Sequence, residues 1–373
     1  MTAEDARFMR SALTLGERAL GTAWPNPAVG CVIVRDGRIV GRGWTGAGGR
    51  PHAETVALAR AGPAARGATA YVTLEPCAHH GQTPPCCDAL VAAGIARAVI
   101  AMLDPDPRVD GRGVAALRAA GVAVDTGCLA HEAERAHRGF LSRLRAGRPM
   151  VTLKAATSLD GRIASATGVG RWITGERARA WAHRLRAEHD AVLVGIGTVL
   201  ADDPELTCRL PGLAGRSPVR VVLDRRLRLP PDSRLARTAR EVPVWVVTNA
   251  PADPERAGRL SALGVRIETT SEVGAGSLAA ALALLAERGI TRVLVEGGGE
   301  IATAFVRAGL VDRLVLFQAP ILLGADGVPL VGGLAVARPD QAERWAPVDV
   351  HRLGEDEMRV LEPARGKGCS PAS

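Results

Sequence analysis

His52-Ala53-Glu54 and, downstream, Pro76-Cys77-Ala78-His79-His80-Gly81-Gln82-Thr83-Pro84-Pro85-Cys86 are the stretches on which the reading of this chain turns. They bring together one imidazole, two thiols and a carboxylate that is not needed as a ligand. Three nitrogen and sulfur ligands leave the fourth position of a tetrahedral zinc open to water. Water held there ionises near neutral pH and can attack an amidine-like ring carbon. Glu54 then stands where a carboxylate would carry protons from that water to a leaving amine. Each piece alone is ordinary, since His-x-Glu is common and two such cysteines mean little. The weight comes from their places, each opening an expected helix that follows an expected strand. Cys86 and Cys87 compete for the second thiolate position. Cys86 is favoured because it directly follows Pro84-Pro85, and proline suits the start of a helix, whose N-terminus favours a thiolate.

Outward from these residues, strands and helices alternate. Residues 4–20 carry Phe8, Ala12, Leu15 and Ala19 on one helical face. A strand at 28–34, a turn at Asp36-Gly37 and a strand at 38–44 read as a hairpin. Helices follow at 52–61, 86–93 and 113–120, with strands at 69–74, 96–102 and 122–126 between them. The pattern predicts an α/β layer structure, its sheet largely parallel beyond the first hairpin. A closing helix is expected over 131–145, with His131 and His137 read as surface residues. The run 145–149 reads as a linker to a second alternation. Its strands are expected at 150–156, 190–194, 219–223, 243–248, 265–270, 291–296 and 312–319, its helices near 176–188, 277–288 and 299–308, and a final hairpin over 350–361. Gly297-Gly298-Gly299 lies between a strand and a helix. It admits two readings, a phosphate approach at a helix start and a tight turn with no ligand. It is not G-x-G-x-x-G.

A chain of 373 residues, 47% of them hydrophobic, is long enough for two packed domains. No apolar run approaches a membrane span, and Met1-Thr2-Ala3-Glu4-Asp5 does not read as a signal peptide. Seven cysteines, an odd number sparsely placed, do not make a disulfide framework, so a reducing cytoplasm is expected. The net charge of +8 belongs to an arginine-rich composition without a basic tract. With 3% aromatic residues there is no stacking platform for bases, which excludes a single-stranded nucleic-acid binder.

His-x-Glu followed by Pro-Cys is the signature of zinc nucleobase deaminases, here with a longer loop between the cysteines. That loop, ending Thr83-Pro84-Pro85-Cys86, and Pro25-Asn26-Pro27-Ala28-Val29-Gly30 before it resemble the bifunctional deaminase/reductase family of riboflavin biosynthesis. The resemblance covers roughly residues 1–362. It implies a cytidine-deaminase-like three-layer domain over 1–146, a dihydrofolate-reductase-like α/β domain over 149–364 and a disordered tail at 365–373. It also implies two reactions. The first is zinc-dependent deamination of 2,5-diamino-6-ribosylamino-4(3H)-pyrimidinone 5′-phosphate, with His52, Cys77 and Cys86 on the metal and Glu54 catalytic. The second is reduction of the ribosyl group to ribityl by NADPH.

The reductase resemblance is carried by Lys154 to Gly161, Arg171-Trp172-Ile173-Thr174, Arg186 and Gly197 to Arg209, matched in order. Carried over residue by residue, it places Ala156, Trp172, Thr198, Asp202 and the run Gly298, Gly299, Glu300, Ile301, Ala302 and Thr303 on the cofactor. Asn26, Lys154, Gly170, Arg186, Leu206, Arg209 and Glu296 fall on substrate positions, the arginines suited to the ribose phosphate. Lys154 and Asp202 are both candidate proton sources for the reduction. Thr45, Gln82 and Asp106 depart from the family pattern. Thr45 stands where many members have a substrate-contacting His, and Gln82 and Asp106 remove positive or add negative charge. These departures leave open a paralogue with the same chemistry on another ribosylated pyrimidine. The partners expected are the phosphorylated pyrimidine and, at most, further copies of the chain.

Overall fold

The computed structural model describes residues 1–79, 84–107, 109–167, 172–249, 253–271 and 276–364. It divides into one unit of Met1–Pro149 with Leu285–Thr291, and a second of Met150–Leu284 and Arg292 onward.

The first unit is built on α1 (Ala3–Gly16), β1 (Gly30–Arg35), β2 (Arg38–Trp44), α2 (Ala53–Ala61), β3 (Thr69–Val72), α3 (Cys86–Ala92), β4 (Arg97–Ile100), α4 (Arg112–Ala119), β5 (Ala123–Thr126), α5 (Ala130–Ala136) and α6 (Arg138–Ala146). Its sheet has the order β2-β1-β3-β4-β5, antiparallel as far as β3 and parallel beyond. Asp36 and Gly37 both adopt positive φ, as a two-residue hairpin turn requires. The period-two alternation sorts the side chains into two cores. Cys31, Ile33, Ala70, Val72, Ala98 and Ile100 meet Ala57 of α2, Leu90 of α3 and Leu117 of α4. Val32, Val34, Tyr71 and Val99 face Phe8, Met9 and Ala12 of α1 and Ala133 of α5. Helices on both faces make the three layers. Gly43 sets how closely α2 lies on β2, because a Cβ there would fall 2.0 Å from Ala53 O.

Thr2 caps α1 through its hydroxyl, and Asp5 returns the bond to the Thr2 N–H. The buried Asp5 carboxylate also accepts from Arg97 Nη1 at 2.7 Å and Tyr71 OH at 3.0 Å. The Arg97 guanidinium holds this carboxyl well below the usual range. Its contribution to stability is therefore present above the unfolded value near 4 and is lost as pH falls below it. Asp5→Ala should cost about 1.5–3 kcal/mol at pH 7. An unchanged urea midpoint would contradict that.

The expected closing helix is broken in two. His137 sits at the break between α5 and α6 and is buried, its Nε2 3.1 Å from Thr73 Oγ1. The reading of His137 as a surface residue is thus corrected: the ring turns inward to meet a buried strand-end hydroxyl. His131 is exposed. The chain passes from α6 to the next strand through Gly147, at positive φ, Arg148 and Pro149.

The second unit contains β6 (Met150–Thr157), β7 (Arg162–Ala164), α7 (Glu176–Ala187), β8 (Ala191–Gly195), α8 (Ile196–Asp202), β9 (Val219–Leu223), α9 (Arg234–Arg237), β10 (Val244–Thr248), α10 (Pro254–Ala262), β11 (Arg266–Thr269), α11 (Ser277–Glu287), β12 (Arg292–Val295), α12 (Gly299–Arg307), β13 (Arg313–Gln318), β14 (Val328–Pro329), β15 (Trp345–Leu353) and β16 (Asp356–Pro363). Its main sheet runs β11-β10-β9-β8-β12-β6-β13-β16-β15. Strands β11 to β13 in that order are parallel, and β16 and β15 close the edge antiparallel. Strand β12 inserts between β6 and β8, so the carboxyl ends of three non-consecutive strands converge. In an open parallel sheet such a point is where a ligand cleft forms. The α/β expectation holds for both units. The proposed tail, Gly170 and Gln82 lie outside the described residues.

Candidate metal centre and cofactor cleft

His52 is the N-cap of α2, Cys77 follows β3, and Cys86 is the first residue of α3 after Pro85. The fold thus delivers three ligand atoms from two helix starts and a strand end. His52 Nδ1 lies 3.1 Å from Cys86 Sγ and 3.7 Å from Cys77 Sγ, all three within 4.8 Å of one another. Ligands of a tetrahedral zinc, with metal bonds of about 2.0–2.3 Å, lie roughly 3.5–3.8 Å apart, so the donor set and the His52–Cys77 spacing fit the ion, and the His52–Cys86 pair would open by a few tenths of an ångström to admit it. The same spacing shapes the electrostatics. Hydrogen bonds from Cys86, with His52, pull the Cys77 thiol down to about 4, while the hydrogen bond to Cys77 and burial push the Cys86 thiol up. Cys87 turns away into the core, its Sγ 3.7 Å from Asp88 Oδ1.

Glu54, in the first turn of α2, is 4% exposed and in contact with Cys86. Burial pushes its carboxyl up to about 7. Asn26 is exposed and donates through Nδ2 to Gly48 O at 3.2 Å. Thr45 is buried, with its hydroxyl accepting from Val29 N at 2.9 Å, so it is a strand-end clip and not an open side chain. Asp106 is a buried turn residue whose carbonyl accepts from Val109 and Asp110.

Sequence reasoning missed Glu75. Its buried carboxylate accepts from the N–H groups of Asp104, Gly111 and Val114 at 3.0–3.2 Å, tying the 104–114 loop to the residue before Pro76-Cys77. The available signal was a carboxylate ending a buried strand, which must find donors.

In the second unit Glu296, just past β12, is the hub. It takes Arg186 Nε at 2.6 Å and Nη2 at 3.0 Å, and Lys154 Nζ lies at 3.9 Å. Burial raises the Glu296 carboxyl, but Arg186 and Lys154 more than reverse this and hold it at about 2. Burial lowers Lys154, against the pull of Glu296. Arg186 also donates through Nη1 to Thr207 O at 2.9 Å. Three of the five N–H donors of Arg186, expected to meet a ribose phosphate, are thus engaged inside the protein by Glu296 and Thr207. The accessible guanidinium is Arg209, half exposed and steadied by Glu205 Oε2 at 2.9 Å.

Leu206, expected at a substrate position, has a positive φ of 56°, and its side chain lies in the core with Val192 and Val222. His183, three residues before Arg186 on α7, was also missed. Its Nδ1 lies 3.2 Å from Arg209 N and 3.1 Å from Thr207 O, and burial, Arg186 and Arg209 push its pKa down. Its spacing from Arg186 on one helix face was the available signal.

Among the expected cofactor residues, Thr198 is half-buried and Asp202 exposed on α8, four apart and so on one face. Ala156 lies two residues beyond Lys154 on β6, on the same face. Trp172 is 61% exposed, with Arg179 5.0 Å over its ring. Ala302 is buried, and Thr303 bonds to Gly299 O and Gly332 N, so these two build the start of α12, while Glu300 is exposed. A Cβ at Gly297 would meet Ile301 at 1.9 Å, and one at Gly299 would meet Pro329 O at 2.6 Å. At Gly298 nothing lies within 4 Å. Packing accounts for two of the three glycines, and the open one caps the helix, where backbone N–H groups favour an anion. A separate shallow cleft of about 40 Å³ opens at the carboxyl ends of β9 and β10, lined by Asp224, Arg225, Thr248 and Asn249.

Comparison with known proteins agrees with this division. Residues 2–102 match the cytidine and deoxycytidylate deaminase zinc-binding region, and residues 149–357 match the RibD C-terminal domain. The chain is similar to riboflavin biosynthesis protein RibD of Bacillus amyloliquefaciens, at 42% identity over 96% of both chains. It is also similar to that of Escherichia coli, at 41% identity over 95% of this chain and 98% of the relative. Among solved structures, Acinetobacter baumannii RibD superposes with a TM-score of 0.86 at 39% identity, covering 97% of this chain and 99% of that one. A Thermotoga maritima diaminohydroxyphosphoribosylaminopyrimidine deaminase/5-amino-6-(5-phosphoribosylamino)uracil reductase gives 0.85 at 35% identity, covering 96% and 99%.

Proposed function

The chain belongs to the RibD family of bifunctional deaminase/reductases of riboflavin biosynthesis, and from that premise we propose a substrate, a cofactor and a role for each residue. The substrate is 2,5-diamino-6-ribosylamino-4(3H)-pyrimidinone 5′-phosphate, deaminated in the first unit and reduced in the second. The observation that carries the reading is the His52/Cys77/Cys86 set beside buried Glu54. These three residues would hold zinc, which when bound would supply a Lewis acid that makes water nucleophilic. Glu54 takes a proton from the attacking water and returns it to the departing amine, which leaves as ammonia. Asn26 holds the pyrimidine.

The second unit would hold NADPH, which when bound would supply hydride. Lys154 is favoured over Asp202 as the proton source, because it lies beside Glu296 and Arg186 while Asp202 is exposed at a helix end. Arg209 binds the phosphate. Gly298 and the start of α12 receive the cofactor's phosphates, and Trp172, Ala156 and Thr198 border it. The unpaired described cysteines support a reducing, cytoplasmic setting. No described helix is long and apolar enough to cross a membrane.

Incubating the pure chain with the diaminopyrimidinone phosphate tests this by mass spectrometry. Without NADPH the amine should be exchanged for oxygen, and with it hydrogen should be added. Absence of the first change would reject the substrate. A second reading, deamination of a related ribosylated pyrimidine, is favoured by one observation: the Thr45 hydroxyl is engaged by Val29. The same assay on related pyrimidines separates the two.

We assign Arg225, which lines the cleft at the ends of β9 and β10, to the 2′-phosphate that distinguishes NADPH from NADH. Arg225→Ala should raise KM for NADPH roughly 10- to 150-fold, the loss of one charge-assisted contact. KM for NADH should hardly move. Equal rises for both would remove Arg225 from cofactor choice.

A further inference from the structure

We propose that Gly49 is a positioning residue of the deaminase half. By lacking a Cβ it seats the Asn26 carboxamide against the 46–49 loop, so that Oδ1 is left as the acceptor for an N–H on the edge of the pyrimidine ring. The proposal rests on the reading of Asn26 as a substrate contact and adds the device that orients it.

The geometry is specific. Gly49 is buried, with φ of +88°. A Cβ there would fall 2.0 Å from Asn26 Nδ2, 2.5 Å from its Cγ and 2.7 Å from its Cβ. The whole carboxamide therefore lies in the space a side chain at position 49 would fill. Its Nδ2 donates to Gly48 O at 3.2 Å. A carboxamide has one donor end and one acceptor end, so engaging the nitrogen fixes which end is offered to a ligand. The supporting loops are themselves fastened. Gly48 N donates to Thr22 O at 2.8 Å, Gly49 N to Gly46 O at 3.0 Å, and Asn26 N to Ala23 O at 3.1 Å. The same loop runs on into His52. Asn26 is thereby held relative to the chain that carries a metal ligand, as an amino-pyrimidine needs if its edge is to be read while a ring carbon faces the attacking water. An exposed Asn without that seat would sample several rotamers, and a misplaced contact weakens binding and turnover together.

The test uses the full zinc-loaded chain and the diaminopyrimidinone phosphate. Gly49→Ala should raise KM for deamination roughly tenfold, the loss of about one hydrogen bond. Zinc content and the reduction of deaminated substrate should stay at wild-type levels. Gly62→Ala supplies the control for backbone strain, since Gly62 also has positive φ, at 53°, but open space around it. Its KM should be that of the wild type. In an Asn26→Ala background Gly49→Ala should add little, because no amide remains to displace.

If Gly49→Ala does not fold, Asn26→Asp reads the same contact from the other side. It removes the donor to Gly48 O and should raise KM with zinc retained. An unchanged KM in Gly49→Ala or Asn26→Asp, or a full additional loss in the double variant, overturns the proposal. A wild-type chain that does not deaminate overturns the parent reading instead.

Discussion

Glu54→Gln should retain about one zinc per chain yet deaminate roughly a hundredfold or more slowly. The amide keeps the size of the side chain and loses its ability to shuttle a proton. Glu54 is 4% exposed in the first turn of α2 and is not among the three atoms that fit the metal. Cys77→Ala should do the opposite and lose the metal with the activity, because a two-ligand remnant cannot hold zinc tetrahedrally. Cys87→Ala should keep both, since that sulfur turns into the core. Metal analysis paired with the deamination rate reads all three variants. Wild-type turnover by Glu54→Gln, or full zinc occupancy in Cys77→Ala, would reject the corresponding role. None of the three should alter reduction of substrate that is already deaminated.

Glu296→Ala is the second large effect, and it should appear in stability as well as activity. Removing this carboxylate strands two half-buried cations, Arg186 and Lys154, that it now balances. Breaking a buried pair by deleting one partner costs about 3–5 kcal/mol. Reduction should also fall roughly 10- to 150-fold as Lys154 and Arg186 lose their shared anchor. The Glu296 carboxyl is held at about 2, below its unfolded value near 4.3. The group therefore contributes its full stabilisation at neutral pH and loses it only as pH falls through that window, so it should produce no change in reduction between pH 6 and 8. A Glu296→Ala chain with a wild-type unfolding midpoint would show that the cations find other partners.

The strands and the metal-ligand types were legible because they depend on local periodicity and on residue chemistry. The first unit's strands alternate between two cores, and that alternation is written residue by residue from Cys31 to Ile100. What was not legible depends on partners distant in the chain. His137 looks like a surface histidine until Thr73 is known to lie beside it. Arg186 looks like a free cation until β12 brings Glu296 to it. Leu206 matched a substrate position, but its backbone geometry sends the side chain into the core. Some misses had local signals. Asp253 and Pro254 make a recognisable helix start for α10, and α8 was passed over as motif alone.

The late insertion of β12 has a consequence for the order in which the chain becomes functional during synthesis. The metal ligands and Glu54 have all been made once Cys86 emerges. Strands β6 and β8, in contrast, have no shared neighbour until Arg292–Val295 is made. At about 5–20 residues per second a nascent chain spends several seconds with those two strands unpaired on their facing edges. Unpaired parallel edges are templates for pairing with other chains. Premature termination between Gly195 and Arg292 thus yields a product that has all its proposed zinc ligands, has no reductase centre and exposes the middle of a sheet. The ribosome and the chaperones around it are the first agents to meet the cost of placing β12 so late.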